Sequence, residues 1–133
     1  MNSSSVSVSR FGRLWRVLAV LGAVVVLATA AFHLTGYADA RGAGQRAGGW
    51  YARVFPALWA GFSLTLAIGA FGALWASLRP AAGSRGLLGL SAVLLWANAA
   101  LLFAYVGNFG GAWLLALGAL AISAAWLLAP HAT

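Results

Sequence analysis

Where this chain keeps its charges constrains its fold more than any other feature. It has eight Arg, no Lys, no Glu and a single Asp, Asp39. All nine lie at the edges of, or between, four long apolar runs. A segment of about 20 apolar residues, rising 1.5 Å per residue, crosses a hydrocarbon core of about 30 Å. A soluble domain carries about 25% charged and about 45–50% apolar residues; here the figures are 7% and 63%. There is too little charge to cover the apolar surface, so lipid has to act as the solvent. Disorder is excluded as well, because it needs low hydrophobicity. The expected fold class is all-α: an integral membrane four-transmembrane-helix bundle built as two helical hairpins. It forms one membrane domain over residues 1–133, with spans at about 14–34, 54–78, 86–106 and 112–128. Residues 1–9 read as a disordered tail and 35–53 as a polar outer loop.

The ends of the spans carry their own signals. Arg10, Arg13 and Arg16, with Phe11 and Trp15 between them, form a basic-aromatic collar before the first run. The 35–53 segment holds five Gly, Asp39, Gln45 and three Arg, and closes on Trp50 and Tyr51. Pro56 fits the first turn of the second span, where a proline is tolerated. Arg79-Pro80 ends that span, Gly107-Asn108-Phe109-Gly110-Gly111 marks a turn, and Pro130-His131 closes the fourth. Trp75 before Pro80 and Trp126 before Pro130 form a weak internal echo.

A net charge of +7 would suggest nucleic acid on a soluble chain. Here the arginines flank apolar spans, where they set orientation and anchor at headgroups, so no nucleic-acid partner is expected. Counting Arg10, Arg13, Arg16, Arg79 and Arg85 against Arg41, Arg46 and Arg53 places both termini in the cytoplasm by the positive-inside rule. The expected location is the cell (inner or plasma) membrane. Arg as the only basic residue, with abundant Ala and Gly, fits a high-GC bacterial genome. Ala28-Thr29-Ala30 also resembles a signal-peptide cleavage site. However, the apolar run of about 18 residues exceeds the usual 7–15 and continues past that site, which favours a retained span.

Helices in lipid associate through small residues that allow close approach. Gly61, Thr65, Gly69, Ala73 and Ser77 recur every fourth position on span two and mark a packing face, toward another helix of the chain or another subunit. Asn98, near the middle of span three, is expected to bond across to another helix, with Ser63 and Thr65 as candidate partners.

Chemistry-bearing residues are few. Titratable groups inside a membrane are functional candidates by default, and His33 is the one such group near the end of a span. Tyr37 and Asp39 follow it, and Asn108, Tyr105 and Arg53 are expected on the same side. His33, Tyr37, Asn108, Asp39 and Arg53 are therefore the candidate ligand-binding set. A histidine with such neighbours can ligate a metal or haem iron, shuttle a proton or bind a quinone head group. One chain cannot supply two histidines to a haem, because His131 is expected on the opposite side. With no Cys there is no thiolate nucleophile or Cys-ligated metal, and a single Asp excludes two-carboxylate catalysis. No phosphate loop, zinc-protease or nucleophile-elbow motif occurs, so no catalytic residue, metal or cofactor is assigned.

The general plan resembles that of small four-helix bacterial membrane proteins, including the DoxX-like group, in span number and size; no motif follows from it and no function is carried over. The leading expectation is a non-enzymatic accessory or assembly subunit. It would sit in the bilayer and associate as a homo-oligomer or within a larger membrane complex through its small-residue face. The alternatives are a ligand-, quinone- or haem-binding membrane protein using the outer His/Tyr pocket, and an oligomeric small transporter or channel.

Overall fold

The computed structural model describes residues 4–81 and 83–130, with side chains from residue 12 onward. All regular structure among them is helical: α1 (Ser4–Thr35), α2 (Tyr37–Ala47), α3 (Tyr51–Leu78), α4 (Ser84–Tyr105) and α5 (Gly110–Leu128). The Gly12–Thr35 part of α1 and the whole of α3, α4 and α5 are each long and apolar enough to cross a membrane. α1 packs between α3 and α5, and α4 fills the opposite corner between the same two helices. Every neighbouring pair is antiparallel: His33 meets Ser63, Gly22 meets Ile122, Gly72 meets Ser91 and Gly89 meets Trp126. The result is an up-down-up-down bundle with the two chain ends on adjacent helices.

Small side chains explain how four such apolar helices settle into one arrangement. Ala19, Ala23, Ala70, Ala73, Ala99 and Ala119 are buried together with Val26, Leu66, Leu88, Leu95, Leu115 and Ile122. Leucine, phenylalanine and valine also face outward, as at Leu64, Phe71, Val93 and Leu117. An apolar exterior gains nothing from burial in lipid, so close contact between helices has to hold the bundle. A close crossing of two membrane-length helices lies between α1 and α5. A Cβ on Gly22 would stand 2.9 Å from the Gly118 carbonyl oxygen, and one on Gly118 would stand 2.5 Å from a Val26 methyl. Backbone meets backbone there, and only glycine fits.

Four expectations need correction. The 35–53 segment is not an open loop, because α2 occupies its centre and α3 begins at Tyr51. Two of its small residues serve helix packing: Ala40 and Gly44 are buried, and Gly44 lies against the Tyr51 carbonyl, Ala52 and Phe55. Asp39 in the first turn and Arg46 in the last suit the helix dipole. The chain reverses at Gly48 and Gly49, whose φ values of 75° and 54° are left-handed. Second, residues 4–9 of the expected tail are helical; once a helix is nucleated in the apolar run, each added residue gains a backbone bond. Residues 1–3 lie outside the described residues. Third, Pro56 sits beyond the first turn, since α3 starts three residues before Val54. Fourth, Trp15 belongs to the buried core at 2% exposure, not to a surface collar. Arg16 is held 5.4 Å from its ring.

Candidate functional site

The site forms where α1 breaks. α1 stops at Thr35 and the Gly36 N–H turns back to the His33 carbonyl at 3.2 Å. That carbonyl also accepts the Trp59 indole N–H at 2.7 Å. Gly36 makes the contact possible, because a Cβ there would stand 2.6 Å from Trp59 Cζ2. The Trp59 ring consequently lies flat on the His33 imidazole, with centroids 4.1 Å apart and planes 16° from parallel. Phe62, one turn farther along α3, meets the imidazole at 4.8 Å in a tilted arrangement. Ser63 Oγ lies 2.8 Å from Nδ1 and completes the hold on the ring.

His33 is therefore fixed by three residues of α3, and its remaining polar atom is Nε2. Among the described residues nothing hydrogen-bonds to Nε2, yet no buried side-chain nitrogen or oxygen lacks a partner. Nε2 is thus open rather than sealed in the core. It can donate or accept according to the tautomer that Ser63 selects.

Two cavities share His33, Trp59, Phe62 and Leu102 in their walls. One, of about 370 Å³, extends under α2 to Ala40, Ala43 and Phe55. The other, of about 270 Å³, extends to Thr29, Phe32 and Phe109. Both are largely aromatic and aliphatic, and no Arg or Asp lines either. This is the usual make-up of a small-molecule site: a mostly apolar concavity, at or just below 300–1,000 Å³, with a few polar groups that fix orientation.

The set expected from sequence is not assembled in this way. Of its members His33 alone lines these two cavities. Tyr37 and Asp39 are exposed in the first turn of α2 and Arg53 in the first turn of α3, and none is hydrogen-bonded to His33 among the described residues. The Asn108 Oδ1 instead accepts the Trp113 indole N–H at 2.6 Å. Tyr105 is 84% exposed. Among the described residues no group of three or more His, Asp or Glu is placed to hold a metal, and His131 lies outside those residues. The working partners of His33 are Trp59, Phe62 and Ser63. The spacing Trp59-x-x-Phe62-Ser63, facing His33 across an antiparallel hairpin, was present in the sequence; nothing there fixed the register.

The packing residues separate into two groups. Gly69, Ala73 and Ser77 are buried, with Gly69 against Leu95 of α4, so this part of the stripe is a contact within the chain. Gly61 is exposed, a Cβ on it would meet nothing within 4 Å, and the Thr65 hydroxyl donates to the Gly61 carbonyl at 2.8 Å. Asn98 is buried at 8% exposure, but its side chain donates to the Leu94 carbonyl of its own helix at 2.8 Å. The expected cross-helix bond to Ser63 or Thr65 is not made: Ser63 serves His33 and Thr65 bonds its own helix. A cross-helix polar link of α4 is made instead by Trp96, whose indole N–H donates to Ser123 Oγ of α5 at 3.1 Å.

No protein-family model, curated protein or solved structure matches this chain.

Proposed function

We propose that this protein is a multi-pass membrane protein that binds, without catalysis, a planar and mostly apolar ring compound of the quinone class beside His33. The observation that carries this reading is an open imidazole Nε2 in a carbon-lined cavity, on a ring held rigidly by Trp59, Phe62 and Ser63. The Thr29 and Thr35 hydroxyls of that cavity already donate to backbone carbonyls of α1, so Nε2 is the group left to orient a ligand, and it matches one carbonyl of a flat quinone ring. Charged ligands do not match it, because no charged side chain lines either cavity. The lone imidazole also argues against a haem held by two histidines. The arginine distribution supports the orientation with both termini in the cytoplasm, in an inner or plasma membrane. The packing of α1 between α3 and α5 supports a first span that is retained.

The reading is tested by titrating the purified protein in detergent with menadione and following tryptophan fluorescence. Saturable quenching that His33→Ala weakens at least fivefold supports it. Quenching that rises linearly and identically in both proteins is partition into the micelle and counts against it.

A second reading keeps the accessory-subunit role and places it on one surface. Leu27, Ala31, Ala60, Gly61, Leu64 and Ala67 line an apolar groove of about 510 Å³ between α1 and α3. Its small residues suit the close approach of a partner's transmembrane helix. Gly61→Leu fills that groove; retained association with co-purifying protein after this change would remove the reading.

A further inference from the structure

At the opposite end of the bundle from His33, the N-terminus of α4 meets the C-terminus of α5. Arg85 donates from Nη1 to the Ala129 carbonyl at 2.7 Å, and its guanidinium carbon lies 5.3 Å from the Trp126 ring centroid. Trp126 in turn rests on Gly89, where a Cβ would approach its Nε1 to 3.0 Å. Below this arginine a groove of about 350 Å³ runs along the outer face of α4 and α5. It is lined by Gly86, Gly89, Leu90, Val93, Trp96 and Trp126. The bond from Trp96 to Ser123 closes its far end.

Length and charge together specify an occupant. From Gly86 to Trp96 the helix rises roughly 15 Å, which is half of a hydrocarbon core about 30 Å thick. A groove that starts at the headgroup level and stops at the midplane fits one acyl chain of one leaflet. At its mouth stand the Arg85 guanidinium, with donors left after the single bond to Ala129, and the positive end of α4. That helix has no side-chain cap.

We infer that the α4–α5 groove binds an anionic phospholipid, with its phosphate at Arg85 and one acyl chain against Gly86, Gly89 and Val93. This rests on the membrane reading above and is independent of the His33 cavity. It makes Arg85 a specific lipid ligand, distinct from the general attraction of the other arginines at that end.

The test is native mass spectrometry of the delipidated protein in detergent, offered equal amounts of phosphatidylglycerol and phosphatidylcholine with matched acyl chains. The wild type is expected to retain phosphatidylglycerol about fivefold better, the preference one cationic side chain confers at an anionic surface. Arg85→Gln should abolish that preference. Arg79→Gln should keep it, because Arg79 lies over Trp75 at 4.6 Å, and Trp75, unlike Trp126, is not in the groove wall. Gly86→Leu, which enters open space, should lower retention of both lipids by occupying the groove. Equal loss in Arg79→Gln and Arg85→Gln would show surface charge alone and overturn the inference. Equal competition by soluble glycerol phosphate would do the same, by removing the acyl chain from recognition. A chain that stays dispersed without detergent would sink the membrane reading as well, an outcome distinct from a failed lipid preference.

Discussion

The imidazole of His33 is useful because its neighbours fix it. Ser63 takes Nδ1, Trp59 covers one face, and Nε2 stays open. A neutral hydrogen bond is worth about 1 kcal/mol net. Ser63→Ala should therefore lower the melting temperature by the few degrees that about 1 kcal/mol represents, and should also weaken menadione binding, because the imidazole is no longer held in one orientation. A drop in stability with unaltered affinity would mean that Ser63 only supports the fold. Gly36 has the opposite character. Replacing it with Ala drives a methyl into Trp59, and overpacking of this kind costs about 1–3 kcal/mol. Gly36→Ala should lower thermal stability and disturb the site together, although the same change at an unconstrained glycine stabilises by about 0.4–1 kcal/mol. Little of this detail was legible in the sequence. His33 stood out because titratable groups inside apolar spans are rare, but its partners lie about 30 positions away. The nearest polar residues in sequence, Tyr37 and Asp39, point elsewhere once Gly36 breaks the helix.

At the scale of elements, the legible part was what periodic apolar character can show. α3, α4 and α5 are long helices bounded by Arg, Gly and Pro, and their existence followed from composition. α2 was missed because glycine reads as a breaker, whereas Gly44 is the residue that lets α2 lie against the start of α3. The regular stripe from Gly61 to Ser77 drew attention by its spacing, yet backbone meets backbone at Gly22 and Gly118, isolated glycines on the two helices farthest apart in the chain. Spacing within a helix reveals a face; which faces meet depends on the order of helices around the bundle. Gly22→Leu should therefore destabilise the protein by at least the 1–3 kcal/mol typical of overpacking, because a backbone carbonyl cannot move aside as a flexible side chain can. Gly61→Leu should be neutral for the monomer fold. Thermal unfolding in detergent compares the two, and equal melting temperatures would contradict the assigned crossing.

For the whole molecule, the arginines fall in two groups at the two ends of the four apolar helices. One end carries the start of α1, Arg79 and Arg85; the other carries α2 with Arg41 and Arg46, and Arg53 at the start of α3. α3, at 28 residues, is about 42 Å long, longer than a hydrocarbon core of about 30 Å, so the proposed membrane placement puts its first turns and α2 outside the core. The absence of Cys makes single-cysteine labelling clean. On the proposed orientation, Gln45→Cys should react with an impermeant maleimide in intact cells, and Ala81→Cys only after lysis. The reverse pattern would invert the topology without touching the fold. The central claim, that the His33 cavity holds a flat apolar ring, is most directly tested by mass spectrometry of the organic extract from protein purified in mild detergent. The account predicts one ring-bearing, lipid-soluble compound per wild-type chain, strongly reduced in His33→Ala and in Phe62→Ala. Phospholipid alone from all three proteins, or the same ring compound at equal occupancy in all three, would contradict it.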